Sequence, residues 1–170
     1  MSQETLARLQ AVQDIEYLRR LYAKATDLIG LATPEAIEEG RKIYHQIFSP
    51  DARLDAGPDR EPQVGPDAWV ELVLGALGEL GATQHLIGTQ LVNIESLEVA
   101  DGEIVAGSAK MESYLQAWHE LNDEQVWLFL GTYFDELIFV PGEGWKITRM
   151  DLKQVAGETR YMGEAVASAG

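Results

Sequence analysis

The chain contains no cysteine, which excludes structural disulfides, thiolate nucleophiles and cysteine-ligated zinc but leaves the compartment open. Histidine is scarce as well. His45, His85 and His119 are the three present, and no group of histidines and carboxylates has ligand spacing, so no metal site is expected. Basic residues are few: 13 Lys and Arg stand against 28 Asp and Glu, a formal net charge of −15 that repels phosphate backbones and anionic membrane surfaces. Neither nucleic acid nor membrane is therefore expected as a partner. No apolar run approaches membrane-spanning length, and Met1-Ser2-Gln3-Glu4-Thr5 is too polar and acidic for a signal peptide, so a soluble cytoplasmic protein is expected. No glycine-rich phosphate loop follows a strand and no Gly-x-Ser-x-Gly elbow occurs, so neither a nucleotide cofactor nor a serine nucleophile is indicated. These absences leave cofactor-independent proton chemistry, for which histidine is the side chain best matched to neutral pH.

What is present fits one domain. The 170 residues are 46% hydrophobic and 24% charged, enough for a single sizeable core. Leu6, Leu9, Val12, Ile15, Leu18, Leu21, Tyr22, Ala25, Leu28 and Ile29 recur every three or four residues, which predicts a helix over about 4–29 ending at Gly30. Thr33-Pro34-Glu35 opens a second helix that Ser49-Pro50-Asp51 closes, and 55–66 reads as a loop. Pro66-Asp67 starts a third helix that closes near Gly81. From His85 the pattern becomes extended: strands are predicted over 85–99, 103–119, 125–140 and 145–155, with Ala100-Asp101-Gly102 as a hairpin turn. Helices followed by a strand meander imply an α+β fold, with helices on one face of a curved antiparallel sheet and the other face a candidate dimer surface. The domain is expected over 1–156, with a small, polar C-terminal tail over 157–170.

Several segments then carry a resemblance. Leu21-Tyr22-Ala23-Lys24-Ala25-Thr26-Asp27, Phe48-Ser49-Pro50-Asp51-Ala52, Thr83-Gln84-His85, Ala109 to Tyr114, and Gly144-Trp145-Lys146-Ile147 together resemble a SnoaL-like domain of the nuclear transport factor 2-like superfamily. The resemblance covers roughly 8–155 with the motifs in order. It implies a cone-shaped sheet wrapped around the N-terminal helices, an apolar pocket between them, and homodimers or higher homo-oligomers. Within the superfamily the pattern is similar to the scytalone dehydratase, bile-acid 7α-dehydratase and hexachlorocyclohexane dehydrochlorinase group. That likeness implies a dehydratase-like lyase or isomerase without cofactor, with His85 as general base, Asp27 as its orienting carboxylate and Tyr22 as a hydrogen-bond donor. The substrate implied is a hydrophobic, cyclic, hydroxylated or carbonyl-bearing small molecule. A non-catalytic binding or assembly domain of the same fold is the alternative, because this fold carries many functions.

The residues themselves add two checks. Asp27 projects nearly opposite the apolar stripe of the first helix, so periodicity alone makes it a solvated helix-end residue. Strict alternation puts His85, Ile87, Thr89 and Leu91 on one strand face. On the next strand it separates Glu112, Tyr114, Gln116 and Trp118 from Met111, Ser113, Leu115, Ala117 and His119, with the inward set undecided. Glu112, Tyr114 and Trp118 are candidate substrate contacts if their set faces inward. His119 is one if the other set does, although beside Glu120 it reads as a strand-end surface residue. Trp69, Phe129 and Tyr133 are candidate apolar lining or core. Arg149 stands near an arginine of the dehydrochlorinase pattern, displaced by one residue.

Overall fold

The computed structural model describes residues 2–121 and 124–161. Helix α1 runs from Gln3 to Gly30, and Ser2 caps it by accepting the Thr5 amide at 3.2 Å. Ala7, Ala11, Ile15, Leu18, Tyr22, Ala25 and Ile29 form its buried stripe. Helix α2, Pro34–Ile47, is capped by Thr33 with proline in its first turn. It packs closely on α1 because Gly40 has no side chain: a Cβ there would lie 2.6 Å from Ile29 Cγ1 and 2.9 Å from the Ala25 carbonyl oxygen. Strand β1 (Phe48–Asp55) and the two-residue β2 (Gln63–Val64) precede helix α3, Pro66–Leu77. Four long strands follow: β3 Thr83–Ala100, β4 Glu103–Glu120, β5 Gln125–Val140 and β6 Gly144–Tyr161.

The six strands form one sheet in the order β2-β1-β6-β5-β4-β3. β1 runs parallel to β6 and every other pairing is antiparallel, so the sheet is mixed rather than purely antiparallel and remains open rather than closing into a barrel. The helices cover its inner face and one buried cluster joins them to it. No helix among the described residues is long and apolar enough to cross a membrane.

Three features depart from the sequence pattern. β1 and β2 occupy what reads as a helix end and a loop. Pro50 hides β1 because proline cannot donate to a ladder, and the β1–β6 register is interrupted between Phe48 and Arg53, where it sits. β6 continues to Tyr161, so residues 157–161 pair with β5; the rest of the expected tail lies outside the described residues. β3 does not alternate strictly. Gly88 pairs with Tyr114 and Gln90 with Ser113, which leaves Thr89, at φ 39°, as an extra residue. This bulge moves Gln90, Val92 and Ile94 onto the face of His85 and turns Leu91 outward.

Gly40 and Gly75 offer a matched test of the helix packing. Gly75→Ala, in an exposed mid-helix position with nothing within 4 Å, is expected to stabilise by about 0.5–1 kcal/mol through helix propensity. Gly40→Ala is expected to destabilise by about 1–3 kcal/mol through overpacking against α1. Urea unfolding followed by circular dichroism reads both, and two shifts of the same sign would contradict the packing account.

Candidate functional site

The end of α1 and the start of β3 meet at one carboxylate. Asp27 Oδ1 accepts from His85 Nδ1 at 2.7 Å and from the Thr83 hydroxyl at 3.1 Å, while Oδ2 accepts the His85 backbone amide at 3.1 Å. Asp27 departs from the helix-wheel expectation because β3 begins alongside the last turn of α1, covering the side that the wheel leaves to solvent. Its side chain retains 24% exposure, whereas that of His85 retains 7%. A carboxylate can only accept, so the imidazole carries its proton on Nδ1 and keeps a lone pair on Nε2.

His85 lines an open-mouthed cavity of about 240 Å3 bordered by α1, α3, the β1–β2 loop and the inner sheet face. That volume lies just below the usual range of about 300–1,000 Å3 for small-molecule sites and suits one or two rings. Tyr22, Trp69, Phe129 and Tyr133 line it, as the sequence allows. The Trp69 indole N–H donates to the Tyr22 hydroxyl at 3.2 Å, which leaves the phenolic proton available for donation. Burial raises the Tyr22 pKa against the opposing pull of Arg19, so the phenol is a proton carrier rather than a base.

Four candidates lie elsewhere. Glu112, Tyr114 and Trp118 occupy the outer sheet face, because the inward set of β4 is Met111, Ser113, Leu115, Ala117 and His119. Glu112 and Tyr114 line an outer depression of about 520 Å3, and Trp118 lies under the Arg160 guanidinium at 5.1 Å. Arg149 points outward and bonds Asp151 at 2.9 Å, while its neighbour Met150 is fully buried. The one-residue displacement in a period-two strand reversed its face.

His119 is a cavity residue, not the strand-end surface residue suggested by Glu120. It is 3% exposed, its ring stands 5.5 Å from that of His85 at 88°, and it stacks on Trp127 at 4.5 Å. Burial, followed by repulsion from His85, lowers its pKa from 6.5 to about 4. Its Nδ1 donates to the Trp127 carbonyl at 3.2 Å, so neutral His119 retains a lone pair on Nε2. The alternation that put His119 with Ala117 and Leu115 was legible; the inward face was not.

A second polar group lies deeper. Arg19, fully buried, pairs with the buried Asp135 and places its guanidinium 4.5 Å from the Tyr22 ring and 4.0 Å from that of Tyr133. Burial opposes both charges; the attraction outweighs it for Arg19, whose pKa is raised, but not for Asp135, whose carboxyl burial still holds above its usual range. Arg19, four residues after Ile15 and three before Tyr22, falls at the edge of the apolar stripe, a charge whose position signals a buried partner without identifying Asp135. Among the described residues no group of three or more histidines and carboxylates is placed to hold a metal.

A family model described as a SnoaL-like domain matches residues 40–151. The match begins after α1, so Tyr22 and Asp27 lie outside it. Among solved structures, the chain is similar to a scytalone dehydratase-like protein of Novosphingobium aromaticivorans, with 20% identity and a TM-score of 0.70 over 94% of this chain and 93% of that one. A hexachlorocyclohexane dehydrochlorinase of Novosphingobium barchaimii gives 15% identity and a TM-score of 0.65 over 94% and 98%. A nuclear transport factor 2-like superfamily protein of Salmonella enterica gives 15% and 0.63 over 88% and 94%. Identities this low establish a shared fold alone. No curated protein matches the chain by sequence.

The His119 environment makes stability depend on pH. Between pH 6.5 and about 4 the unfolded chain binds a proton at His119 that the folded chain refuses, so stability falls on acidification through that window. His119→Asn retains a side-chain N–H donor but cannot titrate. Denaturant unfolding across this range should show wild type losing stability more steeply than the variant, by up to about one proton in the linkage slope. Parallel slopes would show that His119 charges freely in the fold.

Proposed function

The chain belongs to the SnoaL-like domain family, and from that premise we propose that it is a cofactor-independent lyase or isomerase with dehydratase-like His-Asp chemistry. The observation that carries the reading is the 2.7 Å bond from His85 Nδ1 to Asp27 at the edge of an otherwise largely apolar cavity. Held in this tautomer, His85 Nε2 takes a proton from a carbon next to an electron-withdrawing group, and Asp27 stabilises the imidazolium that forms. Tyr22 donates to the oxygen on which charge develops, and neutral His119 accepts from a substrate hydroxyl. In an elimination, the electron pair left on carbon forms the double bond as the hydroxyl leaves as water, carrying the proton that the His85 imidazolium returns to it. In an isomerisation, the same base returns the proton to a different carbon. Trp69, Phe129 and Tyr133 hold the ring of a hydrophobic, cyclic, hydroxylated or carbonyl-bearing substrate. Members of this fold whose descriptions include a dehydratase and a dehydrochlorinase support elimination as the reaction class.

Proton NMR in D2O with a panel of cyclic β-hydroxyketones of one or two rings tests the proposal. Exchange of the proton α to the carbonyl reports abstraction whether or not hydroxide then leaves. His85→Ala and Asp27→Asn are each expected to slow exchange or elimination by about 10²–10⁴-fold, the contribution of a positioned general base. Tyr22→Phe removes one donor to developing oxygen charge and should cost about 10²-fold. A His85→Ala protein that exchanges at the wild-type rate would remove the base assignment, and saturable binding with no exchange would favour the non-catalytic binding domain.

A homo-oligomer is part of the same proposal. Leu86, Leu91, Tyr114 and Val155 lie exposed on the outer sheet face, an apolar patch on a chain of net charge −15. A second copy presents the same patch and buries both. Sedimentation velocity is expected to give the mass of a dimer or larger assembly, which Leu91→Glu reduces. A monomeric wild type would rule this out.

A further inference from the structure

The dyad cavity does not end at its apolar wall. Arg60, Leu152 and Gln154 line it and also line an adjoining polar groove of about 880 Å3. Among the described residues, Arg60 is the one lysine, arginine or carboxylate side chain lining the cavity. A built turn presents it: the Arg60 amide donates to the Gly57 carbonyl at 3.3 Å, Gly57 sits at φ 110°, and its own amide donates to Asp55 Oδ1 at 2.9 Å. The other arginines of the groove are already satisfied. Arg53 bonds Asp55 and Asp151 at 3.3 Å each, and Arg149 bonds Asp151 at 2.9 Å. Arg60 makes no ion pair and no side-chain hydrogen bond among the described residues, although Asp59 and Glu61 flank it in the chain. With 28 acids against 13 bases in the sequence, an unpaired guanidinium bordering the cavity is a specific invitation to an anion.

We propose that Arg60 is a carboxylate-binding subsite, so that the occupant of the cavity is an amphipathic cyclic acid with its ring over His85 and its carboxylate at the groove. The proposal rests on reading the cavity as the reaction site and narrows its substrate class. A guanidinium at a solvent-accessible rim selects by charge and fork geometry.

Isothermal titration calorimetry of the full chain with 2-naphthylacetate and 2-naphthylacetamide, which share ring and size but differ in charge, tests it. Wild type should prefer the carboxylate by about five- to tenfold, the range of a charge-assisted hydrogen bond partly screened by water. Arg60→Gln should abolish that preference while changing amide affinity by less than about twofold, since the ring contacts are untouched. Arg53→Gln, which alters the groove but not the cavity wall, should retain it. Equal affinity of wild type for the two probes, no binding of either, or an Arg60→Gln protein that keeps the preference or loses both ligands alike overturns the assignment. The readout is binding rather than turnover: failure of proton exchange leaves the Arg60 subsite standing, and failure here leaves the dyad standing.

Discussion

One carboxylate joins the two halves of this molecule. Asp27 sits in the last turn of α1, and its three accepted hydrogen bonds all come from the first residues of β3. Two of those donors are structural, the Thr83 hydroxyl and the His85 amide, and they fix β3 against the last turn of α1. The third is the imidazole. The contact that ties α1 to β3 therefore also sets the tautomer of the candidate base. Gly30 lets this happen: a Cβ there would approach the Thr83 hydroxyl to 3.1 Å.

Around this junction the fold grades polarity with depth. At the floor, Arg19 and Asp135 neutralise one another beneath the rings of Tyr22 and Tyr133. At mid-depth lie a protonated phenol and an uncharged imidazole, Tyr22 and His119, held neutral by burial. Near the outer wall are His85 with its carboxylate and, from the β1–β2 loop, Arg60. The inner part of the cavity thus presents two hydrogen-bonding groups that burial keeps neutral, with charge confined to its rim.

Much of the fold was legible in the sequence because its signals are local. The stripe of α1, the Thr33 cap, the Ala100-Asp101-Gly102 turn and the alternation of β4 each depend on a few neighbouring residues, and each stands in the structure. β1 escaped because Pro50 and its polar neighbours mimic a turn, and its partner β6 lies almost a hundred residues away. The face of β3 was misassigned beyond Thr89 because a single bulge shifts a period-two pattern, and nothing at Thr89 announces one. Glu112, Tyr114 and Trp118 were drawn to the site by chemistry and excluded from it by parity.

By itself the sequence determined the class of fold, the order of its main elements and its acidic balance, since these follow from composition and short-range periodicity. It also singled out His85. Only the tertiary structure decided that Asp27 reaches it, because a helix wheel treats the helix as isolated and cannot include a strand lying along its side. The same holds for His119, Arg19 and Arg60. Each is an ordinary polar residue in sequence, and its surroundings, buried for His119 and Arg19 and at the cavity rim for Arg60, come only from the packing of distant segments.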